Sequence, residues 1–303
     1  MPKFDLIILT DSRYVQPKEI DCYVQNILDE DKLVKDALEK RGLKVGRTNW
    51  DNPEFDWEET HHILFRTTWD YFDRFEEFTQ WLSGVSKQTK LINPLKTIKW
   101  NMDKHYLNDL AKSGINIPPT IFLEPGESRS LFEIVKSSGW KESILKPAIS
   151  GAARHTYRLN EENIEEHEGI FKELITNETM LLQEFQQQVV TKGEVAFMVF
   201  GGKYSHAVLK KAKSGDFRVQ DDFGGTVHEY KASEEEIQFV EKVVSMCEPT
   251  PTYARVDVIW DNMGELCVSE LELIEPELWF RKSPQAADLL ADAIFINNLN
   301  EKA

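Results

Sequence analysis

The sequence predicts an α/β protein whose later part takes on α+β character. Three observations carry this. Before Asn93-Pro94 the apolar pattern alternates as strand, helix and strand with short connections, the signature of a small parallel-sheet unit. From Leu95 to Phe185, short strands alternate with amphipathic helices. Beyond that, the pattern is rich in hairpins.

The elements follow in order. Phe4 to Leu9 is a short apolar run and reads as a buried strand. Leu33, Val34, Ala37 and Leu38 fall at helical spacing within Asp29 to Arg41, and Gly42 supplies a stop. Leu43 to Val45 and Ile63 to Phe65 read as further strands. Met102 to Ser113 carries Leu107, Leu110 and Ala111 on one face and ends at Gly114. Ile121 to Leu123, Ser143 to Lys146 and Met180 to Phe185 are strands, separated by helices at Ser130 to Ser138 and Asn163 to Thr176. Glu194 to Phe200 and Lys203 to Lys211 form a hairpin about Gly201-Gly202. A loop follows from Ser214 to Gly225, then a helix from Glu234 to Met246 striped with Ile237, Val240, Val243 and Val244. Tyr253 to Trp260 and Glu265 to Leu273 pair about the turn Asp261 to Gly264, and Pro284 to Leu299 closes the chain as a helix.

Composition narrows the class. The 303 residues suit one large domain or a few small ones, and 41% hydrophobic residues with 8 Trp, 8 Tyr and 17 Phe indicate a folded chain. A net charge of −16 argues against general nucleic-acid or anionic-membrane binding, since both need a cationic face. No apolar run reaches the roughly 18–20 residues of a membrane span. Cys22, Cys247 and Cys267 are odd in number and widely spaced, which suggests neither a disulfide framework nor a metal knuckle. With no secretion signal at Met1 to Asp5, the cytosol is the expected compartment.

The chemistry concentrates at the last hairpin. Strand side chains alternate between faces, so Glu270 and Glu272 point the same way and Asp257 on the partner strand can join them. Three carboxylates on one face repel unless a cation sits between them, and a hard divalent ion such as Mg²⁺ takes oxygen ligands. Standing alone, the same pattern is a solvated acidic face. Upstream, Lys146 ends an apolar strand before Ser150-Gly151-Ala152-Ala153, a small-residue loop able to bring backbone N–H groups to phosphate oxygens. Gln183-Glu184-Phe185 ends another strand where an adenine edge can bind, and Glu194 is placed to accept from ribose hydroxyls. Lys210 and Lys211 face opposite ways, so only one should enter a site. Lys210 is a catalytic candidate and Lys211 a nucleotide candidate. Asp216-Phe217-Arg218 heads a loop ending in Gly224-Gly225, where an arginine can cover a phosphate. At the end of a first-unit strand, Arg66 suits a substrate carboxylate while Trp69 and Tyr71 suit a pocket wall; Asp70 and Arg255 are further substrate candidates.

The order of these features matters more than any one of them. The run Asn101-Met-Asp-Lys104 through Gly114-Ile-Asn-Ile-Pro-Pro-Thr120 resembles the opening segment of the ATP-grasp superfamily. Ile144-Leu-Lys146-Pro is similar to its second nucleotide lysine, Ser150 to Ala153 to its phosphate loop, and Leu182-Gln-Glu184-Phe185 to its adenine hinge. The Asp216-to-Gly225 loop resembles that of glutathione-synthetase and RimK-like members, and Asp257, Glu270 and Glu272 fall where the family places Mg²⁺ ligands. The resemblance runs from about Leu95 to Trp279. Arg66-Thr-Thr-Trp-Asp-Tyr71 with Asn93-Pro94 resembles the leading domain of the subgroup that contains the D-cycloserine cyclising ligase. Two departures stand out. The family's usual Glu-x-Asn is Glu270-Leu-Glu272, which adds a charge, should strengthen divalent binding and makes Glu275 a further candidate metal ligand. Glu275-Pro-Glu-Leu-Trp-Phe280 replaces the usual proline-glycine.

The resemblance implies a pre-ATP-grasp domain (1–94) and an ATP-grasp fold of two α+β subdomains (95–185 and 186–303) with ATP between them. It further implies an ATP- and Mg²⁺-dependent carboxylate–amine ligase, with Mn²⁺ a substitute metal, working through an acyl phosphate on small-molecule acid and amine substrates, with ring closure as one form of the reaction. Lys104 and Lys146 would hold phosphates and Arg218 would stabilise the tetrahedral intermediate. A homodimer is compatible with it. Two other readings stay open: a nucleotide-binding module without catalysis, and a phosphotransferase on the same fold.

Overall fold

The computed structural model describes residues 2–213, 215–219 and 224–299. Its first sheet is parallel, in the order β2-β1-β3-β4, from β1 (Phe4–Thr10), β2 (Val45–Asn49), β3 (Thr60–Thr67) and β4 (Lys90–Ile92). Leu6 to Leu9 are all buried, as a strand covered on both faces requires. Helix α1 (Cys22–Glu39) connects β1 to β2, and α2 (Phe75–Val85) connects β3 to β4. α1 begins well before the expected Asp29, because the Asp21 side chain accepts from the Val24 N–H and starts the helix there.

The second sheet is antiparallel, in the order β5-β8-β6-β7, from β5 (Thr120–Leu123), β6 (Ser143–Pro147), β7 (Tyr157–Leu159) and β8 (Met180–Glu184). α5 (Leu131–Ser138) and α6 (Ile164–Leu174) cover it. The single helix expected from Met102 to Ser113 is instead two, α3 (Leu95–Asn101) and α4 (Tyr106–Lys112). Between them the Lys104 N–H leaves the helical ladder and donates to the Ala148 carbonyl at 3.0 Å. That break turns Lys104 toward the second sheet.

The third sheet is antiparallel, in the order β11-β10-β9-β12-β13, from β9 (Glu194–Phe200), β10 (Lys203–Lys211), β11 (Thr226–Tyr230), β12 (Tyr253–Trp260) and β13 (Leu266–Glu272). A short α7 (Gln188–Lys192) precedes it, and α8 (Glu234–Ser245) packs on it through Val240, Val243 and Val244. The expected helix near the C-terminus is α9 (Ala286–Ile294). It lies against α1: Leu290 and Ile294 share a core with Val34 and Leu38, and Arg41 bonds Asp288 and Asp292 at 2.9 and 2.8 Å.

β13 is an edge strand, and side chains satisfy its outer edge. Asn101 donates to the Leu271 carbonyl and accepts from the Leu273 N–H, both at 2.7 Å. Asn93 donates to the Tyr253 and Leu273 carbonyls and accepts from the Thr252 N–H. These asparagines act as a substitute strand, protecting the edge and locking the carboxylate hairpin to the start of the second unit.

Candidate active site

A cavity of about 770 Å³ opens where the three sheets meet. Its floor is the β12–β13 hairpin. The register sets Asp257 opposite Glu270 and Arg255 opposite Glu272, with a bulge after Asp257. One oxygen from each of Asp257, Glu270 and Glu272 lies within 4.8 Å of the others. The donor set is all oxygen, which suits a hard divalent cation. Glu275, considered from sequence as a fourth ligand, lies outside this trio but lines the same cavity.

Cations surround the trio. Lys104 Nζ is 3.0 Å from Glu270 and donates to the Ser150 carbonyl at 2.7 Å. Burial works against ionising Glu270, but Lys104 and Lys146 outweigh it and hold the carboxyl down at about 2. Lys146 is pushed below the usual lysine range by burial and by Lys104, which outweigh the opposing charges of Glu270 and Glu194. Lys210 is buried against Glu194 at 2.5 Å and Asp257 at 3.3 Å; these carboxylates raise it despite burial. Glu272, the acid standing where the family usually has an amide, is matched by Arg255 across the ladder. Even so, burial and its neighbours Glu270 and Asp257 push Glu272 up to about 7.

On the wall formed by the second sheet, Ser150, Gly151, Ala152 and Ala153 line the cavity. Ala152 and Ala153 sit in the left-handed region at φ 48 and 55, strain that persists only where the surroundings impose it. Gly151 packs closely: a Cβ there would lie 2.6 Å from the Phe72 ring, which would have to move. Gln183, Glu184 and Phe185 line the cavity too. The N–H groups of Glu184 and Phe185 are already engaged with the Pro119 and Glu142 carbonyls, and the Arg158 guanidinium covers the Phe185 ring at 3.9 Å. Arg218 lines the mouth and bonds Asp216 at 2.8 Å. Of the loop expected from Ser214 to Gly225, Ser214 and residues 220–223 lie outside the described residues.

Three expected site residues are placed elsewhere. Lys211 is exposed and does not line the cavity, because the strand's alternation gives that face to Lys210. Arg66 is fully buried rather than open to a substrate. It bonds Glu30 at 2.8 Å and the Pro276 carbonyl at 3.0 Å, while Glu30 also accepts from the Phe280 N–H at 2.9 Å. The pair therefore clamps the segment after β13. Asp70 bonds the Trp50 indole and Arg74, holding a packed aromatic cluster, and does not reach the cavity. Trp69 does line it, and its indole N–H donates to the Glu275 carbonyl at 2.9 Å. Arg255 lines it, already paired with Asp257 and Glu272.

Sequence reasoning missed Asn101, Arg13, Tyr14, Tyr23, Arg154 and Glu277, all of which line the cavity. Asn101 had a signal, since it begins the Asn-x-x-Lys run. The others come from irregular segments in which no period sets a direction.

Fold and cavity define an ATP-grasp enzyme, and comparison with known proteins agrees. Residues 105–274 match the RimK-like ATP-grasp domain, and the chain belongs to that family. Residues 6–93 match the N-terminal domain of the D-cycloserine synthetase DcsG. The chain is 27% identical over 278 residues to the cycloserine biosynthesis protein DcsG of Streptomyces lavendulae, covering 86% of this chain and 90% of that one. The crystal structure of D-cycloserine synthetase DcsG superposes with a TM-score of 0.83 at 25% identity, over 95% of this chain and 98% of that one. D-alanine–D-alanine ligase from Bacillus anthracis, solved with ATP, shares the fold with a TM-score of 0.64 at 15% identity, over 98% and 97%. The chain is thus an ATP-dependent, C–N bond-forming ligase that uses ATP and Mg²⁺ and acts on small-molecule or peptide substrates. No helix among the described residues is long and apolar enough to cross a membrane.

Proposed function

We propose that the chain activates the carboxylate of a small amino-acid-like substrate as an acyl phosphate and closes a ring by attack of a nitrogen in the same molecule. The observation that carries this is the trio Asp257, Glu270 and Glu272, joined in one cavity to Lys104, Lys146 and the Ser150–Ala153 loop. Resemblance to the D-cycloserine synthetase over both the leading domain and the ATP-grasp part supports the cyclising form.

Each residue has a task in this reading. Lys104 and Lys146 supply positive charge to the nucleotide's phosphates, and the loop N–H groups cradle them. Asp257, Glu270 and Glu272 would hold Mg²⁺, which would supply charge neutralisation for phosphoryl transfer. Glu194 meets the ribose side, and Lys210 ties it to Asp257. Arg218 covers the transferred group and the oxyanion that forms on nitrogen attack. The C–N bond forms, the C–O bond to phosphate breaks, inorganic phosphate leaves, and the nitrogen's proton passes to solvent. Dependence on ATP, together with two buried free thiols, fits a cytosolic enzyme. The histidine-relay form of the phosphotransferase reading is disfavoured because none of the seven histidines lines the cavity.

The test is ATP- and Mg²⁺-dependent hydroxamate formation by the purified chain with hydroxylamine and a panel of D- and L-amino acids and their side-chain derivatives. An amino-acid-like acid that supports hydroxamate and, without hydroxylamine, yields a product lighter by one water is the expected outcome. ADP release without any acyl product would sink the ligase chemistry.

A further inference from the structure

Glu275 and Tyr71 are polar residues of the cavity lining that the proposed function leaves unclaimed. On the third sheet and the segment after it, several carboxylates have basic partners: Glu270 has Lys104, Asp257 and Glu272 have Arg255, Glu194 has Lys210, and Glu277 has Arg281. The Glu275 carboxylate has none among the described residues, although its backbone carbonyl is pinned by Trp69. Tyr71 is 5% exposed and lines the same cavity, yet its hydroxyl makes no hydrogen bond among the described residues. The hydroxyl opens to the cavity, where a bound molecule can pair with it. Trp69, two residues before Tyr71, bonds the Glu275 carbonyl, so the two segments meet at this cavity.

The backbone around the pair is built to hold it. Trp69 Nε1 bonds the Glu275 carbonyl, and Arg66 bonds the Pro276 carbonyl. Trp279 is fixed in the left-handed region at φ 46 under the Arg255 guanidinium, 5.2 Å from its ring. A carboxylate accepting from N–H groups, a phenol oxygen and the flat Trp69 ring together suit a small primary amine. Glu275 follows Glu272 by three residues and lines the same cavity as the trio, so an amine held there shares that space with the carboxylate being activated.

Resting on the ligase reading above, we propose that Glu275 and Tyr71 form the subsite that holds and orients the attacking amine. Glu275 accepts its N–H hydrogens, and Tyr71 fixes its direction. Glu275 is then a substrate residue and not a further metal ligand.

The test is a titration of the full chain, loaded with Mg²⁺ and a non-hydrolysable ATP analogue, with ethanolamine as the amine probe and ethylene glycol as its amine-free counterpart, followed by tryptophan fluorescence. Saturable binding of ethanolamine but not of the glycol is expected. Glu275→Gln should weaken it about tenfold or more, and Tyr71→Phe about threefold to tenfold, as the loss of a charged and a neutral hydrogen bond predicts. The Mg²⁺ concentration needed for analogue binding should not move, and melting temperatures of both variants confirm that they fold; Glu275→Asp should recover part of the affinity. No ethanolamine binding by the wild type, equal binding by Glu275→Gln, or a shifted Mg²⁺ midpoint in that variant would each overturn the proposal. Because the titration needs no turnover, its result stands apart from the hydroxamate test.

Discussion

The proposed nucleotide half and the proposed substrate half of the cavity use polar residues in opposite ways. On the nucleotide side, Lys104, Lys146, Glu194, Asp257, Glu270 and Glu272 all converge on one space. On the substrate side, Arg66 and Asp70 turn inward to hold the frame, while Trp69, Tyr71 and Glu275 line the cavity. A phosphate-and-metal site needs many charges close together, so regular strands deliver them in register. A substrate pocket is made by an irregular segment, and that segment must itself be tied down. The buried Arg66–Glu30 pair does this by gripping the backbone from Pro276 to Phe280.

The largest effect that separates the halves is on folding. Arg66→Ala leaves Glu30 buried without its cation, which should cost about 3–5 kcal/mol of stability. In a chain of this size that is a fall of roughly 2–4 °C in Tm per kcal/mol, readable by thermal denaturation. Were Arg66 a substrate ligand instead, KM would rise with Tm nearly unchanged.

Next comes the floor of the nucleotide half. Asp257→Asn removes a charge from the proposed metal trio and should lower ATP turnover about a hundredfold or more, on the scale of losing one electrostatic stabiliser, about 3 kcal/mol. ADP release at saturating ATP checks it, and undiminished turnover would remove Asp257 from the metal set.

A third effect links pH to the substrate half. His206 donates through Nε2 to the Leu278 carbonyl at 2.8 Å, and burial lowers its pKa to about 4. The unfolded chain takes up that proton near the ordinary histidine value, so between there and about 4 the unfolded state binds more protons. The stability is complete above the ordinary value and is lost as pH falls toward 4, by at most about 3 kcal/mol. Urea denaturation at intervals across that window should show the loss in the wild type and a flatter profile in His206→Gln.

The smallest effect is at Lys211. Exposed and outside the cavity, Lys211→Ala should change stability by no more than about 0.5 kcal/mol. An ATP KM equal to that of the wild type would agree with the strand alternation that gives the cavity to Lys210.

The same contrast governs what could be read from the sequence. The hairpins at residues 194–211 and 253–273 were legible because period-two alternation and turn chemistry fix both the element and the face. Glu270 and Glu272 follow directly from it. The break before α4 was not legible, since Met102 to Ser113 keeps helical spacing and only the tertiary bond from Lys104 to Ala148 ends the ladder. β4, β7 and β11 are short edge strands with too few residues to show a period. Arg66 and Asp70 sit at a strand end where ligands commonly bind, but their partners Glu30, Trp50 and Arg74 are set by tertiary packing that sequence spacing does not reveal.

The most direct measurement of the central account is oxygen transfer from acid to phosphate. A substrate acid labelled with ¹⁸O in its carboxylate is turned over with ATP and Mg²⁺, and the released phosphate is weighed by mass spectrometry. If the carboxylate is activated as an acyl phosphate, the released phosphate carries one ¹⁸O derived from the acid, and Asp257→Asn releases little of it. Turnover that yields only unlabelled phosphate would contradict the account.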